Sequence, residues 1–267
     1  MSKFILHNAD LLIEESFSLS INNRSFLYAD GFFESIKVIN SSCFNLVQHF
    51  NRITETAEFF MMDINFSFSE FKLLLDKLIE KNEIVGGRIR MVFYRDSQGK
   101  YLPIENKISF VAEIEKSENG FTLNENGLKL GVFTDMRKDK SKFSNYKTTN
   151  AAISVLASIY AKENVWDDCL LINSENNIIE SSNSNLFIVK GDTIITPTIT
   201  DGCVDGTMRE FVMKHIKIKE KSITKEDLLC ADEVFLTNAI KGVKWVESFK
   251  EKKYQSHKFA RLAFDKV

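Results

Sequence analysis

Residues 169–197 read "CLLINSENNIIESSNSNLFIVKGDTIITP". Four short apolar runs, "CLLIN", "NIIE", "LFIVK" and "TIITP", follow one another here, separated by Ser, Asn, Gly and Asp. Runs of that length bounded by turn formers read as strands rather than helices. The stretch therefore commits this part of the chain to β-structure. One residue is out of place in it. Glu180 is a lone carboxylate at a strand position, followed by the five small polar residues "SSNSN". A charge placed where a strand should bury itself needs a partner or a task.

The remaining elements follow from spacing. "KFILHN", "LLIEES", "ESIKVIN" and "CFNLV" read as strands bounded by polar turns, and "RIRMVFYR" and "KISFVAEIE" as a further strand pair. "HFNRITETAEFFMM" and "FSEFKLLLDKLIEKN" have helical apolar spacing, with Phe71, Leu74, Leu75 and Leu78 on one face. The polar segment 116–127, "KSENGFTLNENG", is the candidate linker. Beyond it, "LKLGVFTD" is a strand and "TNAAISVLASIYAKEN" a helix. Ala152, Val155, Leu156, Ile159 and Tyr160 line one side of that helix, and Thr149 or Asn150 is placed to cap it. "TMREFVMKHI" is a helix entered from Gly206, "EDLLCA" a short helix, and "EVFLTNA" and "GVKWVESF" are strands. The chain is a mixed α/β (α+β) protein in two domains, expected at 1–118 and 119–267.

Lys plus Arg number 35 and Asp plus Glu 37, so no basic excess points to nucleic acid or a membrane surface. No apolar run reaches membrane-spanning length, and the N-terminus lacks a secretory cleavage pattern. Cys43, Cys169, Cys203 and Cys230 are far apart and match no metal-ligand spacing, so buried thiols in a reducing cytoplasm are expected. Phe is frequent, at 23, and reads as core material. Dinucleotide, Walker, zinc-protease and nucleophile-elbow motifs are absent, and His7, His49, His215 and His257 are scattered. No metal is expected.

Three features near turns remain. Lys147 lies in "SNYKTTN", Glu180 in the opening stretch, and Gly206 where a helix begins. A helix start offers unpaired N–H groups and a positive dipole end, which suit a phosphate. Each alone has a plain reading: a surface lysine, a turn acid, a helix opener. Together, a lysine, an acid and an anion site are what pyridoxal phosphate requires.

The motifs, read in order, resemble the class IV aminotransferases, the fold-type IV pyridoxal phosphate enzymes. "NNRSFLYADGFFESIKV" is similar to the family's R-x-x-x-Y-G-D-G-x-F-E-x-x-x-V block, with Ala29 where Gly is usual. "HFNRI" resembles H-x-x-R-L, and "KTTNAAISVLAS" the lysine segment. The Glu180 stretch resembles E-x-x-x-x-N-x-F-x-V-x-x-x-x-x-x-T-P, "GCVDGTMRE" the G-x-x-x-G-x-x-R block, and "ADEVFLTNAIKGVKWV" the A-D-E-V-F block. The resemblance implies an N-terminal α+β domain, a C-terminal strand-rich pseudo-barrel and a homodimer acting on a small amino substrate. It implies that Lys147 forms the Schiff base and shuttles the proton. Glu180 would pair with the pyridine nitrogen, and Asn185 would order the loop around the cofactor. Arg52, Gly206, Thr207, Met208 and Thr237 would hold the phosphate. Tyr28, Glu34, Arg95 and Tyr101 are candidates for the substrate pocket.

Three activities occur in families of this type: branched-chain aminotransferase, D-amino-acid aminotransferase and 4-amino-4-deoxychorismate lyase. The first usually has Tyr five residues after the lysine, where this chain has Ala152. The second carries Arg-x-His after the "YR" strand, where this chain reads "RDSQGKYLP". "KTTN", "VDGTMR" and "NAIKGV" resemble the lyase patterns. A non-catalytic relative would be expected to lose Lys147, Glu180 or Arg52, and all three are present.

Overall fold

The computed structural model describes residues 3–267; Met1 and Ser2, where the first expected domain begins, lie outside them. The chain divides into two compact units. One runs to Gly120 and takes in Lys147–Asn150; the other holds Phe121–Tyr146 and Ala151–Val267. The division falls two residues beyond the boundary expected at 118, and the short Lys147 segment packs with the first unit.

The first unit comprises β1 (Phe4–His7), β2 (Asp10–Ile13), α1 (Arg24–Tyr28), β3 (Gly31–Ile39), β4 (Ser42–Cys43), α2 (Leu46–Phe59), α3 (Phe68–Lys81), β5 (Gly87–Arg95) and β6 (Ile108–Lys116). Its sheet has the order β2-β1-β6-β5-β3-β4, every neighbour antiparallel. The abundant Phe forms its core: Phe32, Phe71, Phe93 and Phe110 are fully buried, and the Phe32 and Phe93 rings stack with centroids 4.9 Å apart. Helix α3 starts at a capping box in which Ser67 and Glu70 satisfy each other's backbone N–H. "CFNLV" is not a strand as expected. Only Ser42–Cys43 pairs, because Asn45 takes a left-handed conformation at φ 55° and opens α2 at Leu46.

The second unit comprises β7 (Leu128–Val132), α4 (Ala152–Glu163), β8 (Asp168–Ile172), β9 (Ile178–Ser181), β10 (Asn185–Lys190), β11 (Thr193–Thr196), α5 (Thr207–His215), β12 (Ile218–Glu220), α6 (Lys225–Leu229), β13 (Glu233–Asn238), β14 (Gly242–Phe249), β15 (Lys252–Lys253) and α7 (Lys258–Phe264). The strand order is β12-β11-β10-β13-β14-β7-β8-β9, and β9 also pairs with β10. Strands β10, β13, β14, β7, β8 and β9 therefore close on themselves as a small barrel. The closing pair is Asn185 opposite Glu180. Alternate residues fill its interior, among them Leu170 and Ile172, Leu186 and Ile188, and Val234 and Leu236. Residues of opposite parity, Cys169, Leu171 and Ile179, pack outward on Ala157 and Ala161 of α4.

That packing corrects the expected face of α4. Its small residues Ala157 and Ala161 are the buried ones, whereas Val155, Leu156 and Ile159 are exposed. The expected cap is also corrected. The N-cap is Ala151, without a side-chain bond, and the Thr149 hydroxyl donates to Ala29 O at 3.0 Å within the first unit. Helix α7 is latched by Glu233, which accepts from the N–H groups of Ala260 at 2.6 Å and Phe259 at 3.1 Å. All four cysteines are unbridged. Cys169 and Cys203 are buried as expected, but Cys43 is half-buried and Cys230, at the end of α6, is exposed. No helix among the described residues is long and apolar enough to cross a membrane.

Candidate functional site

In the first unit, the "GFFES" of β3 and the "HFNRI" of α2 form one cluster. His49 and Arg52 are three apart on α2 and so share a helix face. Both reach Glu34. Arg52 Nε donates to Oε1 at 2.6 Å and Nη2 to Oε2 at 2.7 Å, while His49 Nδ1 lies 2.7 Å from Oε2. Burial alone would push the Glu34 carboxyl up; the Arg52 and His49 charges and hydrogen bonds outweigh it and hold the group at about 2. Glu34, expected in the substrate pocket, is thus the anchor of Arg52. Arg95 is similarly engaged, through Asp30, Asn106 and the carbonyls of Phe60 and Met61. Tyr28 and Tyr101 lie at the surface with ring centroids 5.6 Å apart.

Lys147 sits on the edge of β3. Phe33 N–H donates to Lys147 O at 2.9 Å and Thr149 N–H to Gly31 O at 3.0 Å. Its Nζ lies 4.1 Å from the centre of the Phe33 ring. The preceding turn explains two motif positions. Ala29 ends α1 with φ 52°, the left-handed region that favours Gly. Gly31 cannot carry a Cβ, which would run into the Phe93 carbonyl oxygen and the Ser25 side chain.

In the second unit, β9 carries Glu180 into the barrel's closing pair, nearly buried at 6% exposure. Val204 N–H donates to Oε2 at 2.9 Å. Lys138 Nζ, from a segment dense with cations, donates to Oε1 at 2.6 Å and to the Ser144 carbonyl at 2.8 Å. The small residues after Glu180 hold the turn. Ser182 Oγ donates to Asp168 at 2.6 Å, Ser184 N–H donates to Ser181 Oγ at 3.1 Å, and Asn238 donates to Asn183 O at 2.6 Å.

Glu180 and the α5 start are joined through one loop. Asn185 Nδ2 donates to Val204 O at 2.8 Å, and Asn145 Nδ2 to Ile199 O at 2.7 Å and Cys203 O at 2.8 Å. Asp205 N–H donates to Asn145 O at 3.0 Å. Gly206 is the N-cap of α5 and makes no side-chain cap bond; a Cβ there would strike Asn185 Oδ1. Thr207 and Met208 are the first helical residues. Arg209 of the same motif is buried and fastens α5 to Glu220 and to Pro197 O. Thr237, opposite Asn185 on β13, has a buried hydroxyl with no hydrogen-bond partner among the described residues. A helix start opened by glycine beside an orphaned buried hydroxyl fits a phosphate group. The second unit thus brings together Glu180, Asn185, Gly206, Thr207, Met208 and Thr237, while Lys147, Arg52, Tyr28, Glu34, Arg95 and Tyr101 pack in the first.

Lys138 and Asn145 escape a sequence reading. Lys138 is one of four lysines and arginines in "RKDK" and "SK", a pattern typical of a solvated loop, and nothing local singles it out.

Comparison with known proteins gives the family and the fold. The family profile described as Amino-transferase class IV matches residues 31–249. The chain belongs to the class IV aminotransferase family, whose members are pyridoxal phosphate-dependent enzymes. It is 26% identical over 247 residues to a D-alanine aminotransferase of Bacillus licheniformis, covering 88% of this chain and 84% of that one. It is 27% identical over 233 residues to an aminodeoxychorismate lyase of Vibrio harveyi, covering 84% of each. A branched-chain aminotransferase from Thermoproteus uzoniensis shares the fold, with TM-score 0.91 and 23% identity over 99% of this chain and 93% of that one.

Proposed function

We propose that the protein is a 4-amino-4-deoxychorismate lyase, releasing pyruvate and forming 4-aminobenzoate. The observation that carries this reading is the loop between β5 and β6. Arg24 grips it at Gly99 O (3.1 Å) and Lys100 O (2.5 Å), and Ser97 Oγ accepts from Ile104 N–H and Glu105 N–H at 3.1 and 2.9 Å. The loop so held exposes Tyr101, Leu102 and Ile104 and has Lys100 as its one cation between Arg95 and Lys107. An aminotransferase must grip its substrate's α-carboxylate, which favours a paired cationic clamp; this loop offers aromatic and apolar surface. Ala152 at the start of α4 brings no hydroxyl.

Pyridoxal phosphate, when bound, supplies an aldehyde that captures an amine and a ring that withdraws electrons from an adjacent C–H bond. In this reading the α5 amides after Gly206 and the Thr237 hydroxyl bind the phosphate, with Arg52, oriented by Glu34, as a further donor. Glu180 would accept a hydrogen bond from the ring nitrogen. Lys147 Nζ would hold the aldehyde and would take the proton from the amine-bearing carbon of the substrate. Loss of pyruvate then yields an aromatic ring, so no second keto acid is needed.

Supplying aminodeoxychorismate with no amino acceptor tests the reading: pyruvate and 4-aminobenzoate should accumulate. Turnover that requires 2-oxoglutarate would overturn it in favour of an aminotransferase acting on branched-chain or D-amino acids. The 26% identity to the D-alanine aminotransferase of Bacillus licheniformis, against 27% to the lyase, supports that second reading. The homodimer and the cytoplasmic location expected from the resemblance and the thiols are part of the proposal. The apolar stripe Val155, Leu156 and Ile159 on α4 supports self-association, which sedimentation would register as twice the chain's mass.

A further inference from the structure

Glu180 has a cation beside it that the proposed reaction does not use. Lys138 Nζ stands 2.6 Å from Oε1 and is braced on the other side by the Ser144 carbonyl at 2.8 Å, three residues before Lys147. Its own backbone is fixed, because Lys138 N–H donates to Ile172 O at 2.9 Å on the neighbouring barrel strand. The Lys138 side chain is only 15% exposed and that of Glu180 8%, so water screens the pair little. With Val204 N–H on Oε2, the carboxylate is pinned at both oxygens, and each retains lone-pair capacity for one further donor.

The Cys203 thiol also lies within the reach of this carboxylate's charge. Burial first, and then the Glu180 charge, push it to about 12, so it stays protonated and takes no part in the charge balance. Asp205, at the end of the loop, and Arg209, in the first turn of α5, pair with each other at 3.6 Å, with Arg209 also on Glu220.

We propose that Lys138 is the positioning residue for Glu180: it fixes the carboxylate's orientation and shares its negative charge, which sets how strongly the bound cofactor's ring system holds its protons. This rests on Glu180 being the group that faces the pyridine nitrogen. A cation beside the acid opposes protonation of groups near it; removing that cation raises their proton affinity. Removing it also releases the carboxylate from one of its two fixed donors, so cofactor affinity falls.

The test compares wild type with Lys138→Met, Lys138→Gln, Lys138→Arg and Glu180→Gln. Each cofactor-free protein is titrated with pyridoxal 5'-phosphate by fluorescence quenching. The visible band of each loaded protein is then followed against pH. Lys138→Met and Lys138→Gln should weaken cofactor binding about tenfold and move the band's midpoint upward by about one pH unit. Lys138→Arg, which keeps the charge, should restore the midpoint most of the way. Lys138→Gln keeps a neutral polar end in the site, so it carries the test if the apolar variant does not fold. If Glu180→Gln moves the midpoint while both neutral Lys138 variants leave it in place, Lys138 has no such role and the placement of Glu180 stands. If Glu180→Gln too leaves binding and midpoint unchanged, Glu180 is not at the ring and both readings fall. Equal shifts in Lys138→Arg and Lys138→Met would also overturn the proposal, because charge would then be irrelevant.

Discussion

Replacing the buried Glu34 by Gln would strip the largely buried Arg52 side chain of its counter-charge. Removing one partner of a buried pair costs about 3–5 kcal/mol, so urea unfolding at neutral pH should show a loss of that size. The pH dependence has a definite sign. The carboxyl's ordinary value is 4.5 and its folded value about 2. The stabilisation is therefore complete above about 4.5 and disappears as pH falls through about 2. The gap between wild type and Glu34→Gln should narrow from pH 5 to pH 2. Ala29 offers the opposite case. At φ 52° its Cβ is strained, so Ala29→Gly should raise stability by about 0.5–1 kcal/mol, read from the same unfolding curves. Glu180→Gln should leave the chain folded and able to take up the cofactor, yet slow steady-state turnover on the order of a hundredfold. Normal turnover would return Glu180 to a structural role. These residues differ in how far the sequence reveals them. H-x-x-R and G-x-F-E were visible as motifs, but that they are one ion cluster was not, because a strand residue and a helix residue 18 positions apart announce no contact. Lys138 was invisible, since its neighbours in the chain are also cations.

At the scale of elements, the short strands of residues 169–197 and the helix entered from Gly206 follow directly from apolar run length and turn chemistry. The closure of β9 onto β10 does not, because strand pairing is decided by tertiary register. Helix α4 buries a face other than the one its spacing suggests, for a definite reason. It is apolar on two faces, and spacing cannot say that the sheet would choose the small side, Ala157 and Ala161, for close approach. Two element-level outcomes follow. Thr237→Val keeps the shape of β13 and removes the orphaned hydroxyl, so the cofactor-free chain should unfold at the same or a slightly higher urea concentration. Its affinity for pyridoxal 5'-phosphate should nevertheless drop about tenfold if that hydroxyl meets the phosphate. Glu233→Ala should unlatch α7, costing about 2 kcal/mol, with amide exchange speeding up at Phe259 and Ala260 ahead of the barrel strands.

For the molecule as a whole, the ordered series of motifs from β3 to β14 carries the family assignment, and the barrel with its acid, loop and helix start gives it physical content. What the chain's residues are proposed to do around the cofactor turns on a single nitrogen. The protein loaded with pyridoxal 5'-phosphate, reduced with borohydride and cut into peptides, should carry the phosphopyridoxyl group on Lys147 within "FSNYKTTN". A group fixed on Lys138 or another lysine instead, or a protein that takes up no cofactor at all, would contradict the account.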